Sequence, residues 1–264
     1  MEVPIESGSR TPGSRPPGSR TPAAGPPAAG TPAAGAPAAG PLAAGTDGPA
    51  GSPTLADDAA LAGWIADWQP EDVVLQAARQ RAAEVGVGAV DAPTGAVLRL
   101  LVAVTGARHV IELGTGAGVS SLWLLRGMRP DGVLTSVDAE PEHQRLAKTS
   151  ITEAGVPASR ARLIAGRALE VLPRLSDAAY DLVFCDANRS ENLDYLNAAV
   201  RLLRPGGLVV FAGALGGGKV ATPSARDADT VALRELAKAM RDEPRLITAA
   251  LPVGPGLLAA CLAG

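Results

Sequence analysis

No basic stripe runs along this 264-residue chain: 27 Asp and Glu outnumber 24 Lys and Arg, for a net charge of −3. Binding nucleic acid by neutralising its phosphates is therefore not expected. Cysteine is nearly absent as well. Cys185 and Cys261 sit inside the apolar runs LVFCDA and LAACLA, which reads as buried thiols rather than a disulfide framework or a metal site. Aromatic side chains make up only 3% of the chain, so the core must be aliphatic. Apolar runs of roughly 18 or more residues are missing, and no transmembrane helix is expected. The N-terminus also lacks a basic segment followed by an apolar one, so no signal peptide is expected. A cytoplasmic protein is the reading these absences leave.

Proline and glycine, by contrast, are plentiful and unevenly placed. Residues 1–53 hold 12 of the 23 prolines and 10 of the 31 glycines, with Val3, Ile5 and Leu42 as the large apolar groups. Such a segment cannot bury enough surface to offset the entropy of ordering it. It is expected to be a disordered, flexible tail built on pentads such as TPGSR, TPAAG and PPAAG. Its acids (Glu2, Glu6, Asp47) balance its bases (Arg10, Arg15, Arg20), so the net charge belongs to residues 54–264, one domain of ordinary size.

From Thr54 the pattern turns helical. Thr54 can cap a helix through Leu61, Trp64 and Ile65, with Trp64 and Trp68 read as packing residues. Pro70, Glu71 and Asp72 open a second helix, with Val73, Val74, Ala77, Ala78 and Ala82 at helical spacing. A third covers Pro93 to Val104, with Val97, Leu100, Leu101 and Val104 on one face. Together, residues 54–105 form N-terminal helices. Strand-like runs then follow at 109–113, 132–138, 161–166, 180–187 and 207–213, separated by helical stretches near 119–128, 141–154, 167–175, 191–203 and 227–241. That alternation over 106–264 predicts right-handed crossovers and a mainly parallel sheet. At the end, RLITAALPVG and LLAACLAG flank a GPG turn, which reads as an antiparallel hairpin at the sheet edge.

VIELGTGAGVS, residues 110–120, carries the chemistry. A strand ends at Leu113, and Gly114, Gly116 and Gly118 turn the chain before a helix. Glycine lets the backbone turn sharply and lets a ligand approach without interference from Cβ. A dinucleotide fingerprint would place Gly or Ala at 119, where this chain has Val119. Glu112 beside the turn disfavours a pyrophosphate and suits a cationic ligand carrying an amino group and a sulfonium. Asp138, at the tip of the second strand, is placed to accept hydrogen bonds from ribose hydroxyls.

These residues, with SVDAEPE, GRALEVL, YDLVFCDA, LLRPGGLVV and PVGPGLLAA, resemble the S-adenosylmethionine-dependent O-methyltransferases. The nearer branch is the small bacterial one similar to catechol and caffeoyl-CoA O-methyltransferases, and the resemblance covers residues 70–264. It implies an α/β, doubly wound, mainly parallel seven-stranded sheet with a terminal antiparallel hairpin, preceded by N-terminal helices. It also implies S-adenosylmethionine as cofactor, held by Glu112, Gly114, Thr115, Gly116, Gly118 and Ser120 at its amino-acid end. Asp138 would bind the ribose, Ala139, Arg167 and Ala168 would lie at the adenine, and Asp186 would sit near the methionine and the substrate. Gly88–Val90, Val90 included, and Thr94–Gly95 match the N-terminal part of the family's cofactor pocket.

Metal-dependent members place an Asp after the fourth strand, matched here by Asp186, and an Asp-Asn pair after the fifth. That pair falls on Ala212 and Gly213, and one carboxylate does not assemble a six-oxygen shell, so no metal is expected. The family's lysine corresponds to Arg189, which cannot accept a proton but can hold an anionic substrate or stabilise an alkoxide. His109 and His143 are expected at the surface, away from the chemistry. The base candidates are Asp186, Glu191, Tyr195 and Lys219, with Asp186 preferred and Arg189 as its catalytic companion. The four glycines of GALGGGKVATP (213–223) read equally as a mobile substrate lid or a flexible loop.

The expected enzyme is a metal-independent O-methyltransferase of small aromatic or polyketide-like hydroxyls, with no membrane or nucleic-acid partner. Related enzymes are often dimers, which implies a homodimer to which the N-terminal helices contribute. Two alternatives stand beside this reading. One is a homologue that kept the cofactor pocket but lost catalysis, with Ala212, Gly213 and Arg189 as its evidence. The other is a dinucleotide-dependent oxidoreductase, which the missing fingerprint and the terminal hairpin oppose.

Overall fold

Near-continuous apolar runs such as HVIEL and YDLVFC suit strands buried on both faces, and in the computed structural model they lie at the centre of one sheet. The structure describes residues 59–264; the expected tail (1–53) and the Thr54 cap lie outside the described residues. In chain order the elements are α1 (Ala59–Trp68), α2 (Val73–Glu84), α3 (Ala92–Val104), β1 (His109–Leu113), α4 (Val119–Gly127) and β2 (Val133–Asp138). They continue with α5 (Pro141–Glu153), β3 (Ala161–Ala165), α6 (Ala168–Val171), β4 (Tyr180–Cys185), α7 (Asn192–Leu202) and β5 (Leu203–Phe211). The chain closes with α8 (Ala228–Asp242), β6 (Leu246–Leu251) and β7 (Leu257–Leu262).

The seven strands run in the order β3-β2-β1-β4-β5-β7-β6. Strands β1 to β5 pair in parallel, while β7 pairs antiparallel with both β5 and β6, which is the expected hairpin at the edge. Successive side chains point to opposite faces of the sheet. Ile111, Leu113, Val183 and Cys185 therefore pack with Leu196 of α7 and Leu236 of α8. Val110, Leu182 and Phe184 pack on the other face with Leu75, Leu98 and Leu122 from α2, α3 and α4. Helices on both faces make the sheet doubly wound.

Differences from the sequence reading have local causes. The stretch expected as one helix over 167–175 ends at Val171 and continues as a 3-10 turn at Leu172–Arg174, because Pro173 has no N–H to donate. Strand β5 begins at Leu203, ahead of the expected 207, since Leu203 pairs with Tyr180 across a bulge. In α3 the buried face is Thr94, Leu98 and Val102, with Leu100 and Val104 exposed. Trp123 sets that rotation: a Cβ on Gly95 would lie 2.3 Å from its Nε1, so the helix lays its glycine against the indole. The expected packing role of Trp64 and Trp68 is corrected. They are 58% and 67% exposed, and their rings stack on each other with centroids 4.9 Å apart.

Candidate functional site

At the carboxyl ends of β1, β2 and β4 the chain leaves a cleft of about 480 Å³. Its floor is the glycine turn. Gly114 and Gly118 both have φ of +90°, a region that side chains with a Cβ rarely enter. The turn is tied to its neighbours by Gly114 N–H donating to Val137 O (2.9 Å) and Asp186 N–H donating to Leu113 O (2.8 Å). Asp138 holds it from the side. Its Oδ2 accepts the N–H groups of Thr115 and Gly116, both at 2.9 Å, while Oδ1 accepts the Glu140 N–H at 2.9 Å and lies 3.2 Å from His143 Nδ1. Asp138→Ala would leave three amides without their acceptor. Urea denaturation is expected to show a loss of about 2–4 kcal/mol, with loss of adenosyl-ligand binding in calorimetry.

Beneath the turn lies a buried polar network. Glu112 is fully buried, and its Oε2 accepts hydrogen bonds from Ser121 Oγ and Ser136 Oγ, both at 2.5 Å. Ser136 Oγ pairs in turn with Thr115 Oγ1 at 2.6 Å, which also accepts from Gln144 Nε2 at 2.8 Å. Glu112 Oε1 has no partner. Desolvation pushes this carboxyl up to about 7, against the lowering effect of serine hydroxyls at 120, 121 and 136; Asp186 raises it further. Burial likewise raises Asp186, while Arg189 pulls it back. Two carboxyls in low dielectric, one with an orphaned oxygen, are what a cationic ligand would relieve. The other end of the cleft is lined by Val137, Ala139, Ala168 and Arg167, an apolar setting with one guanidinium that fits a purine. These observations fit the expected sulfonium nucleoside.

Of the residues expected at the cofactor, Val90, Gly114, Thr115, Gly116, Ser120, Asp138, Ala139, Arg167, Ala168 and Asp186 all line the cleft. Gly118 stands at the N-cap of α4, and Glu112 lies under the floor rather than on it. Thr94 and Gly95 do not line the cleft, although Gly88, Ala89 and Val90 do. His143, expected at the surface, is corrected: it lines the cleft with 19% of its side chain exposed. The first turn of α5, started by Pro141, carries it back onto Asp138. His109 is exposed at the start of β1, as expected.

Among the base candidates, Tyr195 donates its hydroxyl to Glu191 Oε2 at 2.5 Å, and Glu191 Oε1 accepts from Arg167 at 3.1 Å. Burial and the Glu191 carboxylate push the phenol of Tyr195 upward, so it holds its proton. Lys219 lies in a neighbouring cavity of about 290 Å³ with Arg189, Gly216 and Gly217. Asp186 faces the cleft with no hydrogen bond to its carboxylate among the described residues. Arg189 pairs with Asp229 at 2.9 Å, and its Nη2 would come within 3.1 Å of a Cβ placed on Gly213. A guanidinium therefore stands beside the position where the resemblance puts a metal ligand. Among the described residues, no three His, Cys, Asp or Glu side chains gather in a metal-binding arrangement.

A family model described as O-methyltransferase matches residues 71–262. A Mycobacterium tuberculosis protein assigned by name to the O-methyltransferases is 54% identical over 190 residues, covering 72% of this chain and 85% of that one. Among solved structures, the O-methyltransferase TomG of Streptomyces achromogenes, involved in tomaymycin synthesis and bound to S-adenosylmethionine, is 32% identical with a TM-score of 0.70. The match covers 77% of this chain and 95% of TomG. An O-methyltransferase of Bacillus cereus in complex with S-adenosylhomocysteine is 27% identical, with a TM-score of 0.69 and coverage of 76% and 96%.

Proposed function

The chain belongs to the O-methyltransferase family and is an S-adenosylmethionine-dependent O-methyltransferase; we propose that it methylates a small aromatic hydroxyl without a divalent metal. The observation that carries the second half is Arg189. Its positive charge beside Gly213, with Asp186 as the lone carboxylate at the β4 tip, opposes a divalent cation in the place where relatives of the metal-dependent kind would hold one.

Bound S-adenosylmethionine supplies a methyl group activated by its sulfonium. The chain's own part is to align, exclude water and manage one proton. The Val87–Val90 segment and the glycine turn wall the cleft and keep water from the reacting groups. Asp186 takes the proton of the acceptor hydroxyl as the oxygen–methyl bond forms and the sulfur–methyl bond breaks. A carboxyl raised by burial is a better base than one in water, which suits a phenol that already ionises readily. Arg189 stabilises the developing oxyanion electrostatically. Exposed Trp64, Trp68, Leu100 and Val104 on α1 and α3 supply apolar surface for the homodimer that belongs to this reading.

The test is methylation of a catechol with magnesium, without it, and with EDTA. Equal rates in all three are expected. Activity that vanishes with EDTA and returns with magnesium would overturn the metal-independent part. Transfer without metal would also set aside a non-catalytic homologue, for which Ala212 and Gly213 were the argument.

A further inference from the structure

A carboxylate has about four lone-pair positions for hydrogen bonds. In Asp138 all four are engaged from within the protein: Oδ2 by the amides of Thr115 and Gly116, Oδ1 by the amide of Glu140 and by His143 Nδ1. A ribose brings two further hydroxyl donors to this strand tip, and Asp138 has no vacant position to offer both. The nearest acceptor of a different kind is His143 itself. Since the carboxylate only accepts, the 3.2 Å contact puts the imidazole proton on Nδ1 and leaves a lone pair on Nε2. Nε2 makes no hydrogen bond among the described residues, is not among the buried unpaired atoms, and belongs to a ring that lines the cleft.

Resting on the methyltransferase reading above, we propose that His143 is a cofactor-binding residue, its Nε2 accepting a hydrogen bond from a ribose hydroxyl while Nδ1 stays on Asp138. The strand-tip carboxylate then serves two tasks through two routes: it holds the glycine turn directly and reads the ribose through the imidazole. The residue therefore contributes to recognition of the nucleoside sugar rather than of the transferred methyl, and S-adenosylhomocysteine is bound with it as firmly as S-adenosylmethionine.

The experiment is isothermal calorimetry with S-adenosylhomocysteine and with its 2′-deoxy and 3′-deoxy ribose analogues, on the wild-type chain, His143→Phe and His143→Gln. Phe keeps a ring without nitrogen. It is expected to weaken S-adenosylhomocysteine roughly fivefold, the effect of one neutral hydrogen bond. Against one of the two deoxy analogues, wild type and His143→Phe are expected to bind alike, because the hydroxyl that Nε2 accepts is already gone. His143→Gln, which retains an acceptor, is expected to recover part of the difference. Equal or tighter binding of S-adenosylhomocysteine by His143→Phe would overturn the proposal and leave the methyltransferase reading standing. The same loss against all three ligands would also overturn it, since a merely structural role moves them together. A wild-type chain that binds no S-adenosylhomocysteine would instead bring down the reading on which it rests.

Discussion

Glu112→Gln is expected to weaken S-adenosylmethionine binding by more than about tenfold while making the ligand-free protein more stable at about pH 8. Both effects come from one buried carboxyl. In the folded chain it titrates near 7, against 4.5 for the free side chain, because burial penalises its charge. Between those values the native state keeps a proton that the unfolded chain releases. Stability therefore falls as pH rises from 4.5 to 7 and is then level as far as this group is concerned. A shift of that size corresponds to on the order of 3 kcal/mol, with desolvation as its principal source. Glutamine has nearly the same shape, can accept from the serine hydroxyls and never ionises, so the slope is expected to vanish and the variant to unfold at higher urea above neutrality. The ligand runs the other way. A cationic cofactor favours the ionised carboxyl, so wild-type affinity is expected to rise with pH up to about 7 and binding below it to release protons. Urea titrations and calorimetry across this range check both halves. A variant with the wild-type slope would show that Glu112 stays ionised when buried.

Gly114→Ala is expected to have the largest structural effect of any single methyl group in the molecule's cleft. Its Cβ would lie 2.1 Å from the carbonyl oxygen of Asp186 and 2.7 Å from the carbonyl carbon, on a backbone with φ of +90°. Neither contact is with a flexible side chain, so the tips of β1 and β4 would have to separate. Overpacking against backbone together with a left-handed alanine is expected to destabilise the protein by about 3–5 kcal/mol and to abolish cofactor binding. Gly217 provides the control. It too is left-handed, with φ of +60°, but a Cβ there meets nothing within 4 Å. Gly217→Ala should therefore lose only about 1 kcal/mol or less and bind S-adenosylhomocysteine normally. Similar losses in the two variants, read by urea denaturation, would mean that backbone conformation alone, not the close approach of Asp186, explains the glycine at 114.

The fold was legible because its strands are short apolar runs between amphipathic helices, and HVIEL begins and ends where β1 does. The glycine turn and Asp138 were legible for a related reason: both stand at strand tips, where the topology puts ligands. What was not legible depends on contacts distant in sequence. Arg189 sits against Gly213 and is drawn to Asp229, 40 residues away, which no spacing announces. The buried face of α3 is set by Trp123 against Gly95, although Leu100 and Val104 show an equally apolar face at helical spacing. His143 was nearer to being readable. It follows Asp138 by five residues across a proline-started helix, and that short connection is what brings the ring back to the carboxylate. Glu112 was placed at the right end of the right strand, but alternation turns it beneath the floor toward Ser121 rather than into the cleft.

The most direct test is to incubate the protein with S-adenosylmethionine carrying an isotopically labelled methyl group and a panel of phenols, and to follow the label by mass spectrometry. The account predicts label on a hydroxyl oxygen of at least one phenol and equimolar S-adenosylhomocysteine, in the presence of EDTA as in its absence. Firm binding of S-adenosylhomocysteine with no labelled product from any phenol would contradict it.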